Sequence, residues 1–184
     1  MMEGKEVNDL ERIGVVLSLL EGMEKEGSWC GETHIQKATY LLQELADIPL
    51  GYEFILYKHG PFSFDFRNEL SNLKADGLIT LKTQPYPYGP SMRITSLGEM
   101  LISKFTDSVS PLKGKIDFIS QKLSHMKVGE LERIATALLV TLKSDSKNIE
   151  QRADGIILLK SHVSKEEAIV AINNIDEMRT ICPR

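Results

Sequence analysis

Four polar side chains recur at helical spacing within residues 63–76, namely Arg67, Asn68, Ser71 and Lys74. At about 100° per residue they fall on one side of a helix, with Lys74 at its edge. Arginine can donate two hydrogen bonds to guanine, asparagine can pair with adenine in the same way, and serine can bond a base or a phosphate. The pattern is typical of a helix that contacts base edges. It is equally typical of a solvated helix face.

The opposite side of this segment is apolar. A stripe at steps of four, four and three predicts a core-facing side made of Phe62, Phe66, Leu70 and Leu73. Ser63 can cap the helix, and Gly77 can end it. Phe64 lies away from the stripe, so its ring is expected at the surface unless a partner protein or the C-terminal helices cover it.

A β-hairpin is predicted after this helix, over residues 78–95, where LITLKT and MRIT read as strands around a loop. Lys82 and Arg93 stand at its base, where basic side chains can contact DNA. The tip carries Tyr86, Tyr88 and three prolines, and aromatic, proline-stiffened tips suit contacts with proteins. A rigid turn that only joins two strands is the simpler alternative.

Two helices are expected before these elements. Asn8 with Glu11 and Thr33 with Gln36 have the spacing of capping boxes, and each pair precedes an apolar stripe. YEFILY then reads as a short strand. The order of helix, helix, short strand, helix, strand, loop, strand and helix predicts a mostly α fold with a small antiparallel β-wing. This is a winged helix-turn-helix over residues 1–106, in which the third helix usually enters the major groove.

Two motifs, HIQKATYLLQEL and YKHGPFSFDFRNELSNLKADGLI, resemble a motif pair of the YwgA-like winged-helix family, which has no assigned activity. They resemble less closely the Panacea domain of proposed antitoxins, which are similar to the SocA antitoxin. In these families a Gln-Lys helix precedes a Gly-Pro turn and another helix. The resemblance implies a winged-helix-like core with Gln36, Lys37, Tyr40, Gly60 and Pro61 at matching positions. The antitoxin role belongs to the more distant relatives.

Residues 107–184 are predicted to be a helical extension. Pro111 follows Ser110 at a helix start, apolar stripes follow, and Ser164 with Glu167 forms a capping box for the last helix. Helices with apolar stripes must bury these stripes against another surface. The helices are expected either to pack on the first domain or to form a homodimer.

The charge is unevenly distributed. The net charge is −4, but residues 58–106 carry six Lys/Arg against four Asp/Glu, whereas residues 1–57 carry four against eleven. The third helix and the wing therefore form a mildly basic region in an acidic N-terminal half, which is a weak electrostatic indication of nucleic-acid binding.

Neither catalysis nor a cofactor is expected. The four histidines lie outside any His-Glu-x-x-His motif, and there is no glycine-rich nucleotide loop. Cys30 and His34 are four residues apart, but a structural zinc site takes four ligands, so we expect a buried thiol and no metal. The chain has no long apolar run, and its first residues are acidic, which predicts a cytoplasmic protein with free thiols and no membrane contact.

Two functions therefore stay open. The first is a winged-helix regulator of transcription that binds DNA through Arg67, Asn68, Ser71 and Lys74, with Lys82 and Arg93 in the wing. The second is a protein-binding module without DNA binding, of an antitoxin or phage-defence accessory type, whose partner, such as a toxin, would contact Phe64, Tyr86 and Tyr88.

Overall fold

A computed structural model describes residues 8–86, 89–146 and 148–184 of the 184-residue chain. This part is mostly helical and includes two small antiparallel hairpins. In chain order the elements are α1 (Asp9–Lys25), α2 (Glu32–Glu44), β1 (Ile55–Tyr57), β2 (Gly60–Phe62), α3 (Phe64–Ala75), β3 (Ile79–Lys82), β4 (Ser91–Ile94), α4 (Ser96–Lys104), α5 (Thr106–Val109), α6 (Lys113–Leu123), α7 (Val128–Lys143), α8 (Ile149–Leu159) and α9 (Lys165–Ile181). A 3-10 turn, Ser110–Leu112, joins α5 to α6.

Three of the five predicted helix starts have the expected side-chain caps, and at the fourth, Ser110 with Pro111, a 3-10 turn leads into α6 without a side-chain cap. Asn8 and Ser164 each form a full capping box with the glutamate three residues later, and Ser63 accepts a hydrogen bond from the Phe66 amide. The predicted cap at Thr33 is wrong. The second helix begins at Glu32, one residue before Thr33, and Gly31 precedes it without a side-chain cap.

One hairpin precedes α3 along the chain and the other follows it. β1 pairs with β2 so that Ile55 faces Phe62, and β3 pairs with β4 so that Ile79 faces Ile94. The second hairpin matches the predicted one. The first was predicted only in part, since YEFILY was read as one short strand and the Gly-Pro segment as a loop.

The first hairpin and α3 rest on a core centred on α1 and α2. Both helices are largely buried, and α6 packs against the pair of them. α7 packs against α2 and against β2, while α7, α8 and α9 pack on one another. The helices after residue 106 thus bury their apolar faces against the N-terminal part and against each other. Whether the chain also dimerises stays a prediction.

The base of the second hairpin is tied closely to α4. Thr95 caps α4 and donates a 2.7 Å hydrogen bond from its hydroxyl to the Gly77 carbonyl. A Cβ on Gly98 would lie only 2.4 Å from the carbonyl oxygen of Leu78, so glycine is required at this position. The hairpin therefore leaves the core in a fixed direction.

Candidate functional site

Gln36 on α2 holds the chain just before α3. Its Nε2 donates a 3.0 Å hydrogen bond to the Ser63 carbonyl, and its Oε1 accepts a 3.1 Å bond from the Ser63 amide. Both residues are fully buried, so each polar group is satisfied by the other. This reciprocal pair fixes the position at which α3 starts.

Lys37, the next residue along α2, holds the Gly-Pro segment. It is 1% exposed, and its Nζ donates a 2.8 Å hydrogen bond to the Pro61 carbonyl. Burial lowers the pKa of Lys37 to about 8, while the charge of Glu132 opposes this shift. Gly60 has a φ of +86°, and a Cβ there would lie 3.1 Å from Thr136 Oγ1 on α7. Lys37 and Gly60 therefore hold the strand β2 between α2 and α7.

A second reciprocal pair holds the start of the first hairpin. Gln43 donates to the Tyr52 carbonyl and accepts from the Tyr52 amide, both at 3.0 Å. The Tyr52 hydroxyl donates to Glu69 on α3, and Arg12 on α1 lies 2.9 Å from the same carboxylate. Sequence periodicity does not indicate these partners, because they lie apart along the chain and meet only in the folded structure.

The predicted base-reading face of α3 is exposed but partly neutralised. Asn68 and Lys74 project without a hydrogen bond or ion pair to another described residue, and Ser71 bonds only the Arg67 carbonyl, at 3.1 Å. The Nε of Arg67 lies 3.2 Å from Glu32 on α2. Glu32 thus partly neutralises the positive charge of Arg67 at the edge of this face.

The predicted wing residues are divided between surface and interior. Lys82 and Tyr86 are exposed, Tyr86 at 97%. Arg93 is half-buried beside the Cys30 thiol, and its Nη1 donates a 2.9 Å hydrogen bond to the Met92 carbonyl. Tyr88 lies outside the described residues. Lys82 is therefore the more accessible of the two basic side chains at the base of the hairpin.

Three aromatic rings form a cluster where the first hairpin meets α3. Tyr57, Phe62 and Phe64, hereafter the aromatic cluster, have ring centroids 5.1–5.6 Å apart, and two of the contacts are edge-to-face. Tyr57 is 51% exposed and Phe64 is 45% exposed. The neighbouring Ile55 and Leu56 of β1 are also exposed. The exposed surface of the first hairpin and the start of α3 is thus apolar and rich in aromatic side chains.

The predicted exposure of Phe64 agrees with its position, whereas sequence reasoning missed Tyr57 and Phe62 as surface partners. Phe62 was assigned to the core stripe of α3, but it lies in β2, before the helix, and is only half-buried. The signal that could have found the cluster is the hairpin itself. Pairing across the Lys58–His59 turn brings Tyr57 opposite Gly60, near both phenylalanines.

Other reactive side chains lie in unreactive settings. Burial raises the pKa of the Cys30 thiol. Burial also lowers the pKa of His34 and so favours its neutral imidazole, while a hydrogen bond to the Met126 backbone opposes this shift. Among residues 8–86, 89–146 and 148–184, no group of three or more His, Cys, Asp or Glu could hold a metal ion. No helix in the same ranges is long and apolar enough to cross a membrane.

No model of a known protein family matches the chain, and no curated protein matches it significantly.

Proposed function

We propose that the chain is a protein-binding module that contacts its partner through the aromatic cluster. The observation that carries this proposal is the exposure of Tyr57 and Phe64 beside Ile55 and Leu56. Exposed apolar patches on a soluble domain mark interaction sites, and aromatic side chains dominate the binding energy of protein interfaces.

The framework beneath this surface is proposed to be a winged helix over residues 1–106, with α1 to α3 as its helices and β3–β4 as its wing. The order of the elements supports this assignment. The motif resemblance supports it as well, since its matching positions include Gln36 and Lys37, which hold β2 and the start of α3. A partner such as a toxin fits the antitoxin role of the more distant relatives.

Rigidity favours the aromatic cluster as a contact surface. Gln36 and Lys37 hold the backbone on which Phe62 and Phe64 stand, so binding orders few main-chain groups. The three rings also contact one another, which restricts their rotamers before a partner arrives. Such pre-organisation reduces the entropy lost on association.

The test is crosslinking from within the cluster, followed by affinity measurements. A photo-crosslinking amino acid at Phe64 would capture the partner in cells, and the same probe at Leu158, on the exposed side of α8, is the control. The identified protein is then titrated against wild type, Phe64→Ala and Leu158→Ala by calorimetry. We expect Phe64→Ala to weaken binding roughly thirtyfold, as for a hot spot of about 2 kcal/mol, and Leu158→Ala to have little effect. Equal affinities for all three proteins would contradict the proposal.

DNA binding through α3 and the wing is the second candidate function. The observation that favours it is the exposed face of Asn68, Ser71 and Lys74 on α3, together with the exposed Lys82 on β3. The pairing of Arg67 with Glu32 counts against it, because the arginine must exchange a carboxylate for a base or phosphate. Asp65 and Asp76 add negative charge at the two ends of α3.

A salt series separates the two functions. Binding to a pool of labelled duplexes is measured by fluorescence anisotropy from low to physiological salt. Phosphate contacts would make the logarithm of the affinity fall linearly with the logarithm of the salt concentration. Lys74→Ala would reduce this slope by about one, and Arg67→Ala would cost roughly 1–3 kcal/mol if the arginine reads a base. A folded protein with no salt-dependent affinity would exclude DNA binding by this face.

A further inference from the structure

A cavity of about 150 Å³ lies beside the start of α7. It is bounded by the first turns of α7, the end of α8 and the loop that leads into α9. Its lining includes Arg133, Lys160 and His162, which can each donate a hydrogen bond, and Glu132 is its acidic member. None of these residues belongs to the aromatic cluster or to the outer face of α3.

Two cations of this cavity are only partly compensated. Lys160 donates a 2.6 Å hydrogen bond to the Lys58 carbonyl, which is a neutral acceptor. Arg133 lies 3.4 Å from Glu167, and a guanidinium with five donors can hold this carboxylate and a second anion together. His162 makes no hydrogen bond to another described residue, and it lies close enough to Glu167 to help lower the pKa of that carboxyl group.

The acidic member of the cavity already has a partner. Glu132 Oε1 lies 2.8 Å from His59 Nδ1, in the turn of the first hairpin, and buried Lys37 also attracts this carboxylate. The carboxylate of Glu132 therefore interacts with His59 and Lys37, which lie outside the lining of the cavity. The charged side chains that line the cavity are two cations, Arg133 and Lys160, and this one carboxylate.

The backbone of α7 adds a further source of positive potential. The residue before the helix, Lys127, makes no side-chain cap, so the first amides of α7 have no intrahelical or capping acceptor. Gly129 in this first turn lines the cavity, and Arg133 Nη1 lies 3.7 Å from where a Cβ on Gly129 would stand. Uncapped amides at the start of a 16-residue helix favour an anion.

We propose that this cavity binds a small oxyanion, of the size and charge of inorganic phosphate or of the phosphoryl group of a small monoester. Arg133 and Lys160 supply the charge, His162 supplies a further donor, and the amides at the start of α7 face the bound oxygens. The site shares no residue with the proposed protein-binding surface, although Lys160 and Glu132 contact the Lys58–His59 turn of the same hairpin.

The test is a calorimetric titration of the full chain with inorganic phosphate and with glycerol phosphate, at ionic strength held constant with sodium chloride. Wild type is expected to give saturable binding, and Arg133→Gln and Lys160→Gln are expected to weaken it roughly tenfold each, as charge-assisted hydrogen bonds are lost. Lys143→Gln, at the exposed far end of α7, is the matched control and should bind as wild type does. Preference for one of the two titrants identifies free phosphate or a monoester as the source of the oxyanion.

A second measurement protects against variants that misfold. His162 is exposed in a loop, so His162→Gln should leave the fold intact, and phosphate should shift the amide resonance of Gly129 less in this variant than in wild type. Identical shifts in the two proteins would overturn the proposal. So would a chloride response equal to the phosphate response, or equal affinities for Arg133→Gln and Lys143→Gln.

Discussion

Lys37 donates a 2.8 Å hydrogen bond to the carbonyl of Pro61, and no second hydrogen bond joins its ammonium group to another described residue. An almost fully buried charge is thus stabilised by one carbonyl and by the more distant carboxylate of Glu132. The same contact fixes the strand that carries Phe62.

The buried ammonium group predicts a pH-dependent stability. The pKa of Lys37 is about 8 in the folded chain and 10.5 in the unfolded chain, so the unfolded state binds the proton more tightly between these values. Below about pH 8 the buried charge lowers the free energy of unfolding by its full amount. As the pH increases towards 10.5, the free energy of unfolding rises by up to about 3 kcal/mol. Lys37→Met should remove this rise in denaturant unfolding. Because Cys30 and the tyrosines titrate in both proteins, the difference between the two pH profiles is the readout, and parallel profiles would rule the effect out.

The two reciprocal glutamine contacts should differ in energy. Gln36→Leu leaves the buried amide of Ser63 without a partner, whereas the Ser63 carbonyl still accepts from the Arg67 amide at 3.1 Å. We expect the free energy of unfolding to fall by about 2–3 kcal/mol. Gln43→Leu should reduce it by only about 1 kcal/mol, because water can reach the partly buried backbone of Tyr52. Urea denaturation measures both. A larger loss for Gln43→Leu would contradict this ranking.

Two phenylalanines of α3 form a matched pair. Phe66 is 0% exposed and touches Tyr52, with ring centroids 4.9 Å apart, whereas Phe64 belongs to the exposed aromatic cluster. We expect Phe66→Ala to lower stability by about 3–5 kcal/mol and Phe64→Ala to lower it by less than about 1 kcal/mol. Thermal unfolding compares them. Equal losses would mean that Phe64 is part of the core and not of a contact surface.

Removing the C-terminal helices should expose the core. A fragment of residues 1–106 lacks α6 and α7, which cover α1, α2 and β2, so we expect lower solubility and no cooperative unfolding. A fragment of residues 1–145 retains both helices and is expected to unfold cooperatively at a lower midpoint. Near-UV circular dichroism and dye binding report the difference. A soluble, monomeric fragment of residues 1–106 as stable as the whole chain would refute the shared core.

Two helical glycines should respond oppositely to alanine. A Cβ at Gly98 would meet the Leu78 carbonyl at 2.4 Å, so Gly98→Ala is expected to destabilise the protein by about 1–3 kcal/mol through a displaced hairpin. Gly114 on α6 has room, since the nearest atom, on Pro183, is 3.8 Å away. Gly114→Ala should raise stability by about 0.5–1 kcal/mol. Chemical denaturation of the two variants gives the signs directly.

The parts of the fold that were predictable from sequence are those encoded within a few residues. The boxes at Asn8 and Ser164 satisfy orphan amides three residues away, and the cap at Ser63 does the same. The apolar stripe of Phe66, Leu70 and Leu73 is buried as its spacing predicts. The prediction at Thr33 failed although Thr33 and Gln36 have the spacing of a capping box, because the helix already begins at Glu32.

What escaped prediction depends on contacts between distant segments. Strand β2 follows the turn Lys58–His59, whose residues lack the Asn-Gly signature of tight hairpins, so nothing local indicated pairing. The Gln36 and Ser63 contact spans 27 residues, and the ion pair of Arg67 needs Glu32 from another helix. Periodicity shows which side of a helix faces outwards, but it cannot show which charges stand beside it.

Two buried side chains of α2 hold the backbone of β2 and of the start of α3, while the side chains of the aromatic cluster form the surface. Gln36 bonds the backbone of Ser63, and Lys37 bonds the backbone of Pro61. Neither bond involves a side chain of the aromatic cluster. Substitutions in the aromatic cluster can therefore change the chemical character of the surface while the hairpin keeps its course. A lineage that preserves the glutamine and lysine of α2 is free to explore new partners with little loss of folding stability.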